Sequence, residues 1–378
     1  MKVLELVYSL GAGGIESFLV NFLEKLPPGH DLTIDVGVIR PQDATQFYDK
    51  RVLAAGARIV PVGEFSHGKL YKYISCRKQF KEMFQRGNYD IIHIHSGQID
   101  KLWDVMNAAY FSKAKVYVHS HNQGISASVK WYRLRIMLQS YYRWKLDRLP
   151  VRKCACSAAA AGWSFSRSAN ENGEVRIINN GIEAIRYRYN ELVRLQKRQE
   201  LGVENAFVIG HIGRFNYQKN HDFLIDIFAK VAEQSQRAKL LLIGNGETMG
   251  AIKAKAAGLG IADRVVFYGV SDDIPGMLQA MDVFVFPSHF EGLPVVGVEV
   301  QAASLMTVAS DTITSEVAIT DYWNVMSLQD SADAWGDKIL SFENGYQRID
   351  TSGAIAAAGF DMAAISEDIM RMYNEDRA

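Results

Sequence analysis

The sequence predicts an α/β protein: two Rossmann-like, doubly wound parallel-sheet domains in tandem, facing each other across a cleft. Three observations predict it. Short apolar runs alternate with helix-length segments from the first residues onward, the pattern of βαβ units and a parallel sheet. The alternation pauses at a strong turn signal, Asn180-Gly181, and then begins again. A chain of 378 residues is also too long for one ordinary hydrophobic core.

In the first half, strands are expected at 3–8, 32–39, 58–62, 91–95, 115–119 and 153–157, with helices at 15–26, 71–84 and 128–146. In the second half, strands are expected at 207–212, 239–243, 265–268, 283–286 and 307–310, with helices at 223–232 and 251–257. The hinge falls near 180–183, which divides the chain into domains 1–180 and 181–360. Ligands of doubly wound domains sit outside the carboxyl ends of the strands, so the turns at those ends are the candidate sites.

Composition excludes several classes. The chain is 48% hydrophobic and 22% charged with zero formal net charge, which gives no global basis for a nucleic-acid partner. No run of some twenty apolar residues is present to span a membrane. The N-terminus reads as a first strand and lacks the pattern of a signal peptide, so a cytoplasmic protein is expected. Cys76, Cys154 and Cys156 have neither a zinc nor a redox spacing and read as small buried hydrophobes.

The densest cluster of chemistry is Phe286-Pro287-Ser288-His289-Phe290-Glu291-Gly292-Leu293-Pro294, with Glu299 eight positions after Glu291. A buried strand hands over here to a helix that starts near Pro294. Free N–H groups at a helix N-terminus suit a phosphate, and carboxylates in the turn and the helix can accept hydrogen bonds from sugar hydroxyls. Together they suit a nucleotide sugar. Upstream, Gly213-Arg214 follows one strand and Lys219 precedes the next helix, so both cations can reach one diphosphate. The turns at Gly244 and at Gly269-Val270 can hold a base through backbone groups, although each alone reads equally as αβ punctuation.

The first βα turn, Gly11-Ala12-Gly13-Gly14-Ile15-Glu16, approaches a dinucleotide fingerprint but carries Glu16 at the third glycine position, which argues against a nicotinamide cofactor. Glu16 reads either as an anion beside a ligand site or as a first-turn partner of the helix dipole. In His119-Ser120-His121, alternation is expected to put one imidazole on each face of a continuing strand, so that the two do not share a metal and one of them faces the cleft. His93-Ile94-His95 reads as strand-end packing. The segment 128–153 is basic and rich in aromatics. It suits either a solvated face or contact with an anionic membrane.

These residues together resemble a retaining glycosyltransferase of the GT-B fold, family 4, the bacterial exopolysaccharide and capsule type. The resemblance spans the chain and is strongest over 210–311, where Glu291 and Glu299 form its E-x7-E pattern. It implies a hexosyltransferase that takes a nucleotide sugar, UDP-linked in the first instance, as substrate and needs no metal or other cofactor. Arg214 and Lys219 would hold the diphosphate, Glu291 the donor sugar, and Glu299 the ribose. Gly213, Gly244, Gly292 and Leu293 would line the donor site, Val270 would lie near the base, and Gly13 and Gly14 would close the site. His121 would stand near the transferred sugar, with His119 as a register-slip alternative on the acceptor side beside Glu16. The implied acceptor is a glycan or lipid-linked saccharide, and the C-terminal helix, about 361–378, would cross back onto the first domain. Ser304 and Met306 depart from the family's usual Gly and Pro. A nucleotide-sugar epimerase or hydrolase, or a noncatalytic sugar-binding scaffold, remains open on the same residues.

Overall fold

The computed structural model describes all residues except 42, 64–68, 97–98, 123, 125–130 and 377–378, with backbone alone at 69–73. The chain forms two compact units, residues 1–181 with 362–378, and residues 182–361.

The first unit holds seven parallel strands: β1 (Lys2–Tyr8), β2 (Thr33–Ile39), β3 (Arg58–Val62), β4 (Ile91–His95), β5 (Lys115–Ser120), β6 (Val151–Ala155) and β7 (Val175–Ile177). Their order is β3-β2-β1-β4-β5-β6-β7, so the winding reverses between β1 and β4. The strands are nearly continuous apolar runs because helices cover both faces. Val3 and Val7 enter one core with Phe18 and Phe22, whereas Leu4 and Leu6 enter another with Phe80 and Phe165. The helix Met362–Glu375 places Met362, Ile365, Ile369, Met372 and Tyr373 in the first of these cores. That helical spacing explains why the end of the chain belongs to the first unit. Cys76, Cys154 and Cys156 are buried and unbridged, and burial lifts the Cys154 thiol to about 12.

The second unit holds six parallel strands: β8 (Phe207–Ile212), β9 (Ala238–Ile243), β10 (Val265–Gly269), β11 (Val283–Phe286), β12 (Thr307–Ser310) and β13 (Trp323–Met326). Their order is β10-β9-β8-β11-β12-β13, with the reversal between β8 and β11. The short edge strands β7 and β13 were not expected, because each has too few apolar residues to stand out. The sixth strand of the first unit begins two residues earlier than its expected start at 153, since Val151 pairs with Val116.

Candidate active site

In the second unit the site forms where the winding reverses. The turns after β8 and β11 emerge side by side there, and polar contacts sew them together. Asn220 Nδ2 donates to the Pro287 carbonyl at 3.0 Å, and the His289 amide donates to the Gln218 carbonyl at 2.8 Å. Tyr217 stacks on His289 with ring centres 4.3 Å apart. Within this frame Lys219 Nζ meets Glu291 Oε1 at 2.7 Å. Ser288 Oγ donates to the same oxygen at 2.8 Å, and Gln218 Nε2 donates to Oε2 at 3.0 Å. The Ser288 carbonyl accepts in turn from Ser310 and Thr312. Lys219 also lies 4.8 Å above the Phe286 ring. The ion pair is therefore largely buried and fixed at both ends. Arg214 differs: its side chain is exposed and 3.6 Å from Glu247.

Two glycines let the turn after β9 press against this frame. At Gly244, with φ of +139°, an added Cβ would stand 2.1 Å from the Gly213 carbonyl. At Gly246 it would stand 2.3 Å from the Phe215 carbonyl. Gly213 has a milder constraint, since its Cβ would touch the Lys219 stem at 3.0 Å. Val270, just past β10, is exposed.

Pro294 caps the helix Val295–Ala302 instead of opening its first turn. Gly292 and Leu293 lie between Glu291 and this cap. Glu299, inside the helix, is buried and its Oε1 accepts from Tyr187 at 2.7 Å. Burial lifts its carboxyl to about 7, with Tyr187 pulling the other way.

In the first unit Glu16 bends back over its own helix start. It is hydrogen-bonded to Ser9 Oγ, and burial raises its pKa. An added Cβ at Gly13 would lie 2.3 Å from Glu16 Oε2, so the glycine makes room for this carboxylate. Gly14 opens the helix Gly14–Glu24.

The histidines require a correction. His119 and His121 do not take opposite faces: their ring centres are 4.2 Å apart. Residues two apart on a strand share a face, and so do His93 and His95, whose rings stack at 4.4 Å. Register aligns His95 with His119 and Glu5 with His93, so all four imidazoles gather on one side of the sheet, with His95, His119 and His121 beside Phe18 and His93 stacked on His95 and His119. His119 is fully buried, which removes it from the acceptor side, and burial depresses it well below the usual histidine value. His121 is half-buried and likewise depressed by burial. Its Nε2 lies 3.0 Å from His95 Nδ1, and its Nδ1 lies 3.0 Å from the Asn180 side-chain oxygen.

Three of these rings, His93, His95 and His119, bring ligand atoms within 4.8 Å of one another. A metal there would compete with hydrogen bonds, because His95 spends Nε2 on Glu5 and Nδ1 on His121. Gln218 and Tyr187, which contact Glu291 and Glu299, and the linked trio Glu5, His95 and Tyr373 do not stand out as candidates in the sequence. Glu5 carried a signal, being a lone charge inside an apolar strand.

Of the basic segment 128–153, residues 128–130 lie outside the described residues. The helix Tyr132–Leu146 buries Tyr142 and Leu146 but exposes Leu134, Met137, Leu138, Tyr141 and Trp144. Among the described residues, no helix is long and apolar enough to cross a membrane.

Comparison with known proteins assigns the whole architecture. Residues 12–186 match the model for Glycosyltransferase Family 4 and residues 193–358 match that for Glycosyl transferases group 1. EpsF of Bacillus subtilis (strain 168), which bears a glycosyltransferase name, is 27% identical over 99% of this chain and 96% of its own. The Escherichia coli UDP-Gal:alpha-D-GlcNAc-diphosphoundecaprenol alpha-1,3-galactosyltransferase is 25% identical over 61% of this chain and 60% of its own. Among solved structures, Anabaena HepE in complex with UDP and glucose superposes with a TM-score of 0.80 at 20% identity, covering 99% of this chain and all of that one. With one family model on each half and the GT-B architecture throughout, this chain belongs to the GT-B glycosyltransferases of the family 4 type.

Proposed function

We propose that this protein moves a hexose from a UDP-sugar to a glycan or lipid-linked saccharide in surface polysaccharide synthesis, with retention at the anomeric carbon and without a metal. The observation that carries it is the Lys219–Glu291 pair at 2.7 Å, held at the winding reversal between β8 and β11. Breaking the bond between sugar and diphosphate develops positive charge on the ring and negative charge on the leaving group. Cations and N–H groups aimed at the leaving group are what such a step needs. Lys219, Arg214 and the amides of Gly292 and Leu293 supply them, while Glu291 accepts from sugar hydroxyls and Glu299 from the ribose. With no carboxylate assigned to covalent attack, the acceptor attacks from the face the diphosphate leaves, and a leaving phosphate oxygen takes its proton. The galactosyltransferase relative, whose name gives a UDP-linked donor and a lipid-linked acceptor, and the UDP complex of HepE favour this donor and acceptor class.

A thermal-shift panel with UDP, GDP, ADP and NAD tests the donor. A ligand at a hundredfold its Kd stabilises by about 2.7 kcal/mol, so UDP should raise Tm clearly. A shift with NAD alone would overturn the proposal, and a shift with GDP or ADP alone would replace the base.

We also assign the Tyr132–Leu146 helix to the cytoplasmic face of a membrane. Leu134, Met137, Leu138, Tyr141 and Trp144 recur at helical spacing on its exposed side, and Arg133, Arg135 and Arg148 flank them. Such a helix lies in an anionic interface. The protein should co-sediment with phosphatidylglycerol vesicles, and a Met137→Glu, Tyr141→Glu variant should not. Equal sedimentation of the two would refute the assignment.

A further inference from the structure

The buried histidines form part of an ordered chain of hydrogen bonds. Tyr373 of the C-terminal helix donates its hydroxyl to Glu5 Oε1 at 2.8 Å, and His93 Nδ1 contacts the same hydroxyl. Glu5 Oε2 lies 2.8 Å from His95 Nε2. His95 Nδ1 lies 3.0 Å from His121 Nε2, and His121 Nδ1 lies 3.0 Å from the Asn180 side-chain oxygen. Glu5, His95 and Tyr373 are almost wholly buried, so no solvent competes for these contacts.

An ionised carboxylate only accepts, whereas a neutral imidazole has one donor and one acceptor nitrogen. Direction therefore propagates from Glu5. His95 must carry its proton on Nε2 to donate to Glu5, which leaves Nδ1 as an acceptor. His121 must then donate from Nε2, and its own Nδ1 becomes a lone pair. The Asn180 amide, turned so that Nδ2 faces the ring, satisfies that lone pair; either orientation occupies the same space.

We propose that Glu5 acts through His95 as a positioning residue that locks His121 in the Nε2–H tautomer, so that His121 offers a substrate hydroxyl an acceptor at Nδ1 when the Asn180 contact yields. Tyr373 holds Glu5 in place, which makes the C-terminal helix part of the same device. This deepens the transferase reading and rests on His121 taking part in sugar transfer. A carboxylate that fixes an imidazole tautomer without touching substrate is an established device in other enzymes, where its amide replacement lowers kcat by about 10⁴-fold.

The test is Glu5→Gln. The amide keeps the shape, accepts from Tyr373 and donates to His95 Nε2, which reverses the chain and puts the His121 proton on Nδ1. Histidine ¹⁵N–¹H spectra should show His121 as Nε2–H in the wild type and Nδ1–H in E5Q. Turnover should fall at least about tenfold, as expected for loss of a tautomer-fixing carboxylate, with donor KM nearly unchanged. The double variant with His121→Ala should be no slower than His121→Ala alone. The same tautomer in both proteins would overturn the proposal, and so would a switched tautomer with wild-type turnover. Wild-type turnover in His121→Ala would instead remove His121 from the transfer reaction and leave the tautomer result standing. Should E5Q not fold, Tyr373→Phe keeps the ring and removes one donor to Glu5. A mixed tautomer population with a smaller loss of turnover is then expected, and wild-type behaviour in both readouts would overturn the proposal.

Discussion

Replacing Glu299 by Gln should stabilise the ligand-free protein at neutral and higher pH while weakening its hold on UDP. The folded chain raises this carboxyl from 4.5 to about 7 because it is buried. The folded state thus binds the proton more tightly than the unfolded chain. The stability this confers is fully present below 4.5 and is lost as pH rises towards 7. At about 1.4 kcal/mol per pH unit, the full difference is about 3 kcal/mol. Gln cannot ionise and still accepts from Tyr187, so it avoids the loss. For a unit of this size, about 3 kcal/mol corresponds to roughly 6–12 °C in Tm. Melting curves from pH 4.5 to 8 should show the wild type losing ground across that window relative to the variant. Calorimetric titration with UDP at pH 8 should show the variant binding about tenfold to a hundredfold more weakly, the value of a hydrogen bond to a charged acceptor. Parallel melting curves would refute the burial argument, and equal UDP affinity would remove Glu299 from the ribose.

Removing the Tyr187 hydroxyl with Tyr187→Phe takes away the one contact that lowers the Glu299 carboxyl. Titration of this group by NMR should therefore place it above the wild-type value, and an unchanged midpoint would contradict the assignment. Lys219→Ala should lower kcat by about a hundredfold, the usual effect of removing one leaving-group donor, with acceptor KM little changed in steady-state assays. A change in acceptor KM alone would refute its role. Gly244→Ala combines a φ of +139° with a Cβ 2.1 Å from the Gly213 carbonyl. It should cost about 3 kcal/mol or more by chemical denaturation, and a cost under about 1 kcal/mol, that of an unstrained glycine replacement, would show that the turn relaxes.

Much of this protein was determined by its sequence alone, because local pattern carries the information. Short apolar runs such as 207–212 and 283–286, alternating with helix-length segments, read as buried strands in a sheet covered on both sides, and turns mark their carboxyl ends. The order in which helices and strands alternate then leaves few topologies. The placement of Glu291, Lys219 and Glu299 was legible for the same reason, since each lies in a turn that follows a strand or on the helix after it. What tertiary structure decided is which distant residues meet. Strand order brings the turns at 213–220 and 287–294 together, and only that closure turns Gln218 and Ser288 into partners of Glu291. Register between β1, β4 and β5 gathers Glu5 with the histidines on one face; the spacing of two within each histidine pair already put its members together, so the expectation that His119 and His121 part company misapplied strand alternation. Tyr373 reaches Glu5 across 368 positions of sequence. No periodicity encodes such a contact, because it depends on where the last helix packs, and that is set by the apolar face it shares with Phe18 and Phe22.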